Sequence, residues 1–269
     1  MKSCWIGWVG FLMALGCAVD PGEPRARPEV PFFFFPTQRE IGDSADISRA
    51  LLDIERHLPL TEPLFPEMGG PVLGPSIKGH EETHGIAGHL LKEHANLAGV
   101  DRAYGFYLLE GRAVVFEEPA IRKSDVNGFV PEALRGDRFA VYLEEQEQFD
   151  DHPLYLIDEW VAYLNQGAIT LERYERGFIP EKQGLTYGVV DGALEFSIYG
   201  IALLRAIEAL DPGYLESQPS FPVFVDWLLQ RSLELFRRGD RVPMFQLSSQ
   251  RELLAGFLGE AGEPLRRAL

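Results

Sequence analysis

Residues 80–84 read His-Glu-Glu-Thr-His, an H-E-x-x-H motif in a segment whose composition favours a helix. Residues four apart on a helix lie on the same face, one turn above the other, so His80 and His84 can both reach one metal ion. Glu81 follows the first histidine and points at a neighbouring position, where a carboxylate can act as a base. The motif therefore predicts a metal-assisted hydrolytic site that uses zinc.

A catalytic zinc ion takes three protein ligands, so this motif needs a third ligand from elsewhere in the chain. In one common zinc pattern a glycine and a histidine follow the motif on its own helix, but those positions here are Ala87 and Leu90. The nearby His89 is turned away from the metal face. A carboxylate from a later helix is the alternative.

Two glutamates lie in segments that are apolar enough to be buried. Glu159 stands in the middle of residues 153–164, PLYLIDEWVAYL, with mostly apolar neighbours one turn away on either side. A buried carboxylate must pair with a cation or bind a metal, so we expect Glu159 to be the third ligand. Glu195, the one charged residue of residues 192–204, is the rival by the same reasoning. For either glutamate, the structural alternative is a bond to an arginine.

Side chains close to Glu159 in the sequence suggest supporting roles. Asp158 is suited to accept a hydrogen bond from the second ring nitrogen of a ligand histidine. Negative charge that develops on a hydrolysed carbonyl needs a hydrogen-bond donor. We predict Tyr155 for that role, with His152 and Tyr163 as alternatives.

Together, His80, Glu81, His84 and Glu159 resemble the active site of a gluzincin-type zinc metallopeptidase. The resemblance covers the motif helix and part of a second helix. It implies a zinc ion held by the two histidines and Glu159, with Glu81 as general base. It also implies a peptide or protein substrate.

The amino-terminal segment has the composition of a secretory signal, with Lys2 followed by an apolar run from Trp5 to Leu15. The sequence Ala-Leu-Gly-Cys that ends at Cys17 resembles a bacterial lipoprotein box. This resemblance implies that residues 1–16 are removed and that Cys17 carries a lipid. We therefore expect a protein anchored in the bacterial cell envelope, at the outer membrane or the periplasmic face.

Residues 17–36 are rich in proline and have the composition of an extended tether. Four consecutive phenylalanines at 32–35 would be a liability in a free tether, so we expect them to pack on the domain. The formal net charge of the whole chain is −16. Such an acidic surface disfavours nucleic acids as partners, because their phosphates are also negative.

Residues 37–269 contain no internal repeat and no long linker, which indicates one domain. Residues 102–118 hold two β-rich runs around Glu110-Gly111 and predict a hairpin that could form a substrate ledge. The expected fold class is α+β and helix-rich, a zincin-like single domain with a small β element. Apolar periodicity predicts helices at 46–57, 78–97, 138–149, 153–165, 168–177, 187–210, 223–238 and 248–258.

Two other functions fit the same residues. A non-catalytic binding or structural lipoprotein would close the metal site with a fourth protein ligand, for which His152 and Glu195 are candidates. A hydrolase that cleaves non-peptide amides of the envelope would use the same metal. The number of protein ligands to the metal distinguishes the non-catalytic lipoprotein from an enzyme. Substrate profiling distinguishes the hydrolase of non-peptide amides from a peptidase.

Replacing Cys17 with serine tests the lipid anchor. The wild-type protein should be found in the membrane fraction and be released by detergent, whereas Cys17→Ser should be soluble or unprocessed, because the serine cannot carry the thioether lipid. Fractionation and mass spectrometry of the mature amino terminus measure both properties. A Cys17→Ser protein that is processed and distributed like the wild type would contradict the lipoprotein assignment.

Overall fold

A computed structural model describes residues 29–66, 69–98, 102–180 and 190–267. This part of the chain is helix-rich with one small sheet, which confirms the α+β class. The strands are β1 (Phe33–Phe34), β2 (Ala103–Tyr107) and β3 (Arg112–Glu117), and the helices are α1 (Arg49–His57), α2 (Gly70–Ala98), α3 (Tyr155–Glu175), α4 (Asp191–Leu210), α5 (Pro212–Ser217), α6 (Phe221–Gly239), α7 (Ser248–Leu258) and α8 (Glu263–Arg266).

None of the helices in these ranges is both long enough and apolar enough to cross a membrane. The predicted signal and Cys17 lie outside the described residues. Between β3 and α3 the chain forms short turns of 3₁₀ or π-helix, at Lys123–Phe129, Glu132–Leu134, Ala140–Glu145 and Glu147–Phe149. The continuous helix predicted at 138–149 is therefore wrong, since a π-helical turn is followed there by a separate 3₁₀ turn.

The motif helix α2 begins at Gly70, eight residues earlier than predicted, and Pro75 lies inside it. A proline inside a helix has no N–H to donate to the carbonyl four residues before it. Here that carbonyl, on Pro71, accepts a hydrogen bond of 2.7 Å from Nη2 of Arg173 on α3. A residue distant in sequence therefore replaces the missing bond, and the helix continues through the proline.

Helix α3 packs antiparallel along α2 and carries the residues that fix the motif helix. Hydroxyls of Thr170 and Ser76 are 2.7 Å apart. Further along, Nδ2 of the buried Asn165 donates to Thr83 Oγ1 over 3.2 Å and to the Tyr107 carbonyl over 3.0 Å. One amide thus ties α2, α3 and β2 together directly beside His84.

The predicted break in α3 near residue 167 is absent, and one helix replaces the two predicted at 153–165 and 168–177. Gly167 lies within the helix, where a Cβ atom would meet Leu235 Cδ2 at 2.5 Å. The glycine therefore serves close packing against α6 and does not end the helix.

The predicted hairpin is confirmed, with β2 and β3 antiparallel and Tyr107 opposite Ala113. Its turn places two residues other than glycine in the left-handed region, Leu109 at φ 64° and Glu110 at φ 56°. This conformation costs about 1–2 kcal/mol per residue. The side chain of Asp53 offsets part of that cost, because its Oδ2 accepts a hydrogen bond of 2.8 Å from the Glu110 amide.

The order of the sheet is β1-β3-β2, so β2 is an edge strand, and it lies against α2. Strand β1 consists of two of the four consecutive phenylalanines, Phe33 and Phe34, paired with β3. Phe35 is buried, and the Phe32 ring contacts Trp227 with centroids 5.4 Å apart. Two of the four rings therefore pack on the domain as expected, while Phe34 remains 71% exposed.

Gly105 of β2 tests the close contact between the sheet and the motif helix. An added Cβ would lie 2.3 Å from Leu90 Cβ, so Gly105→Ala should lower the free energy of unfolding by about 1–3 kcal/mol, as overpacking does. Urea denaturation followed by circular dichroism measures the loss. Gly88→Ala on α2 is the matched control, because nothing lies within 4 Å of its added Cβ. Equal losses in the two variants would contradict the packing.

Candidate metal centre

The two motif histidines of α2 and Glu159 of α3 converge on one point. The Nε2 atoms of His80 and His84 are 3.2 Å apart. The Glu159 carboxylate faces both rings, with Oε2 3.5 Å from His80 Nε2 and Oε1 3.6 Å from His84 Nε2. One ligand atom from each of the three lies within 4.8 Å of the others. These side chains therefore form a group that could hold a metal ion.

The spacing and the hydrogen bonding of this group fit a metal ion. Two nitrogens bound to zinc at the usual distances and a tetrahedral angle lie about 3.3 Å apart, and the histidine Nε2 atoms are 3.2 Å apart. Glu159 Oε2 is buried and has no hydrogen-bond partner among the described residues. A buried carboxylate oxygen is costly unless a cation or donor compensates it, and a metal would do so.

Asp158, next to Glu159 on α3, fixes the orientation of His84. His84 Nδ1 lies 2.8 Å from Asp158 Oδ2, so this nitrogen donates and Nε2 faces the group. Burial lowers the pKa of His84, but Asp158, Glu159 and Glu81 raise it to about 9. Burial raises the pKa of Glu159, yet the two histidines bring it below its ordinary value. A field that favours imidazolium also favours a metal cation, which competes with that proton.

Tyr155, the predicted oxyanion donor, lies beside Glu159. Its hydroxyl donates to Glu159 Oε1 over 2.6 Å, and its ring stacks on Phe149 with centroids 4.0 Å apart. The two residues are one helical turn apart, so α3 itself brings them together. Because a phenol has one proton to donate, this bond orients the carboxylate and leaves no O–H for a substrate while it lasts.

Glu195, the rival third ligand, is buried but already has its partners. The Arg138 amide donates to Glu195 Oε1 over 2.6 Å, and Arg138 Nη1 lies 3.2 Å from Oε2. The Tyr199 hydroxyl also donates to this carboxylate. Glu195 is therefore compensated by an arginine, and Glu159 is the glutamate that meets the histidines.

Other predicted side chains surround the group without joining it. Glu81 is partly exposed beside His80. His152 pairs with the buried Glu118, its Nδ1 3.1 Å from Oε1. The Tyr163 ring lies against the His80 ring, with centroids 4.7 Å apart.

Sequence reasoning misses Tyr142, whose hydroxyl is 3.3 Å from that of Tyr163. Tyr142 belongs to the π-helical turn Ala140–Glu145, and such turns are frequent at functional sites but have no sequence signature. Tyr163 could be found from the spacing alone, because Tyr155, Glu159 and Tyr163 recur every four residues on α3.

No family model, curated protein or solved structure matches the chain.

Replacing Glu159 with glutamine should weaken metal binding. The loss should be at least about tenfold in affinity, because changes to residues that only support a ligand already cost about 10–100-fold. Metal analysis by mass spectrometry after dialysis measures occupancy. Glu195→Gln is the control and should keep the metal while lowering the melting temperature, since Arg138 loses a charged partner. The reverse pair of outcomes would make Glu195 the ligand.

Proposed function

We propose that this protein is a zinc-dependent hydrolase, a metallopeptidase with a zincin-like fold that cleaves peptide bonds in the bacterial envelope. The observation that carries the proposal is the convergence of His80, His84 and Glu159, with ligand atoms within 4.8 Å, around a motif that also supplies Glu81. Two imidazoles and one carboxylate are a donor set of catalytic zinc sites.

The number of ligands supports an enzyme over a structural metal site. A structural zinc site is closed by four protein ligands, whereas a catalytic one keeps a position open. Among the described residues, no fourth histidine, cysteine, aspartate or glutamate joins the group. The candidates for a fourth ligand, His152 and Glu195, are engaged by Glu118 and Arg138.

The chain's own residues supply the proton transfers and the orientation. A bound zinc ion would supply Lewis acidity toward water and toward a carbonyl group. The Glu81 carboxylate accepts a proton from the attacking water, and its acid form then donates that proton to the leaving amine nitrogen. Asp158 holds His84, and Tyr155 holds Glu159, so both ligands keep their orientation during these transfers.

A donor for the developing oxyanion is available in the pair Tyr142 and Tyr163. Their hydroxyls share one hydrogen bond of 3.3 Å, so one of the two O–H protons is left over. Both side chains are partly exposed. The Tyr142–Tyr163 pair therefore replaces Tyr155 in this role, since the proton of Tyr155 is used on Glu159.

The outer edge of β2 is covered by the rest of the domain. The peptide groups of Ala103 and Gly105 point away from β3, but both residues are buried. The Tyr107 carbonyl on the same edge already accepts a hydrogen bond from Asn165. A peptide substrate is therefore proposed from the resemblance of the site, and a substrate ledge at this hairpin stays a prediction.

Glu81→Gln separates chemistry from metal binding. The substitution removes the proton acceptor and nearly preserves shape, so zinc content should stay unchanged while hydrolysis falls by about a hundredfold or more. A library of quenched fluorescent peptides gives the rates, with zinc content measured on the same samples. Glu93→Gln, exposed on the same helix, is the matched control. Equal rates for Glu81→Gln and wild type would contradict the role of Glu81.

A further inference from the structure

The two ligand histidines differ in what meets their second ring nitrogen. His84 Nδ1 has the carboxylate of Asp158 at 2.8 Å. His80 Nδ1 is buried and has no hydrogen-bond partner among the described residues. A histidine that binds a metal through Nε2 carries a proton on Nδ1, and that proton needs an acceptor.

The aromatic ring of Tyr163 lies where this acceptor is needed. The His80 and Tyr163 rings are 4.7 Å apart between centroids, at an interplanar angle of 74°. At such an angle one ring points its edge at the other, and an aromatic face is the negative part of its charge distribution. A protonated ring nitrogen directed at that face makes an N–H···π contact.

Helix α4 packs against the Tyr163 ring. The Phe196 ring stacks on Tyr163 at 21°, with centroids 5.2 Å apart. A Cβ atom on Gly192 would meet Tyr163 Cδ1 at 2.2 Å. Helix α4 therefore packs on the Tyr163 ring, whereas His80 reaches the same ring from α2. An approach of His80 from the side away from α4 would direct its edge at the opposite face of Tyr163.

We propose that the face of Tyr163 accepts the Nδ1 proton of His80 and so fixes Nε2 as the metal-binding nitrogen. Tyr163 is then a positioning residue, and the inference rests on the proposed zinc site. Gly192 and Phe196 of α4 pack against the Tyr163 ring and restrain it. The Arg138 guanidinium, 5.0 Å from the same ring centroid and paired with Glu195, also restrains it.

Charge balance explains why an aromatic ring suits this position. The two buried carboxylates, Glu159 and Asp158, carry a charge of −2 with two neutral imidazoles, and a divalent cation brings this buried charge to zero; Glu81 is partly exposed and keeps contact with solvent. A second carboxylate behind His80 would leave the buried site negative, and uncompensated buried charge is costly. A neutral acceptor orients His80 without that cost.

Zinc affinity of two Tyr163 variants tests the proposal. Tyr163→Leu removes the aromatic face and should weaken binding about tenfold, the lower end of the effect of residues that support a metal ligand. Tyr163→Phe keeps the face and removes the hydroxyl, so its affinity should stay within about twofold of wild type if the face is the acceptor. Competition with a fluorescent chelator measures both. Equal affinities for Tyr163→Leu and wild type, or equal losses in the two variants, would overturn the proposal.

Nuclear magnetic resonance of the zinc-loaded wild type tests the contact directly and needs no variant to fold. The His84 Nδ1 proton should resonate far downfield because it is bonded to a carboxylate. The His80 Nδ1 proton should be shifted upfield by the ring current of Tyr163. A downfield His80 proton would mean a polar acceptor and would overturn the inference while leaving the zinc site intact. A wild type that binds no zinc would overturn both.

Discussion

Two adjacent carboxylates, Asp158 and Glu159, enter the protein interior in the first turns of α3, and their burial is the constraint on which the site depends. Glu195 is equally buried, but an arginine compensates it. For Asp158 and Glu159 the described ion-pair partners are His80 and His84. Two imidazoles compensate buried negative charge only when protonated or when they share a cation with it. The same burial that would destabilise a bare carboxylate pair therefore favours a metal ion.

The packing of α2 against α3 makes that arrangement specific. The two helices are joined by hydrogen bonds at Pro71, at Ser76 and at Thr83, the residue before the second motif histidine. Each bond buries polar atoms that have few other partners, so sliding or turning one helix against the other would leave them unsatisfied. His80, His84 and Glu159 are thus held in place by contacts that lie outside the candidate metal group.

Much of this arrangement could be predicted from local patterns. The motif gives His80 and His84 directly, and an apolar helix with a carboxylate in its middle gives Glu159, because burial demands compensation. The continuation of α2 through Pro75 could not be predicted, since it depends on Arg173, a partner distant in the chain. The choice between Glu159 and Glu195 depends in the same way on where Arg138 lies. The sequence pattern thus shows which buried polar groups need a partner. Which residue becomes that partner depends on contacts between segments that are distant in the chain.

The unbroken course of α3 past Gly167 also limits how this chain can change over evolutionary time. Glu159 and Arg173 lie on one helix, and each residue between them adds about 1.5 Å and a rotation of about 100°. A single inserted or deleted residue between them would turn the Glu159 carboxylate away from α2 while Arg173 stayed bonded to the Pro71 carbonyl. Insertions and deletions should therefore be tolerated in the surface loops and excluded from residues 159–173 of α3. The number of residues in this stretch sets where the Glu159 carboxylate lies relative to α2.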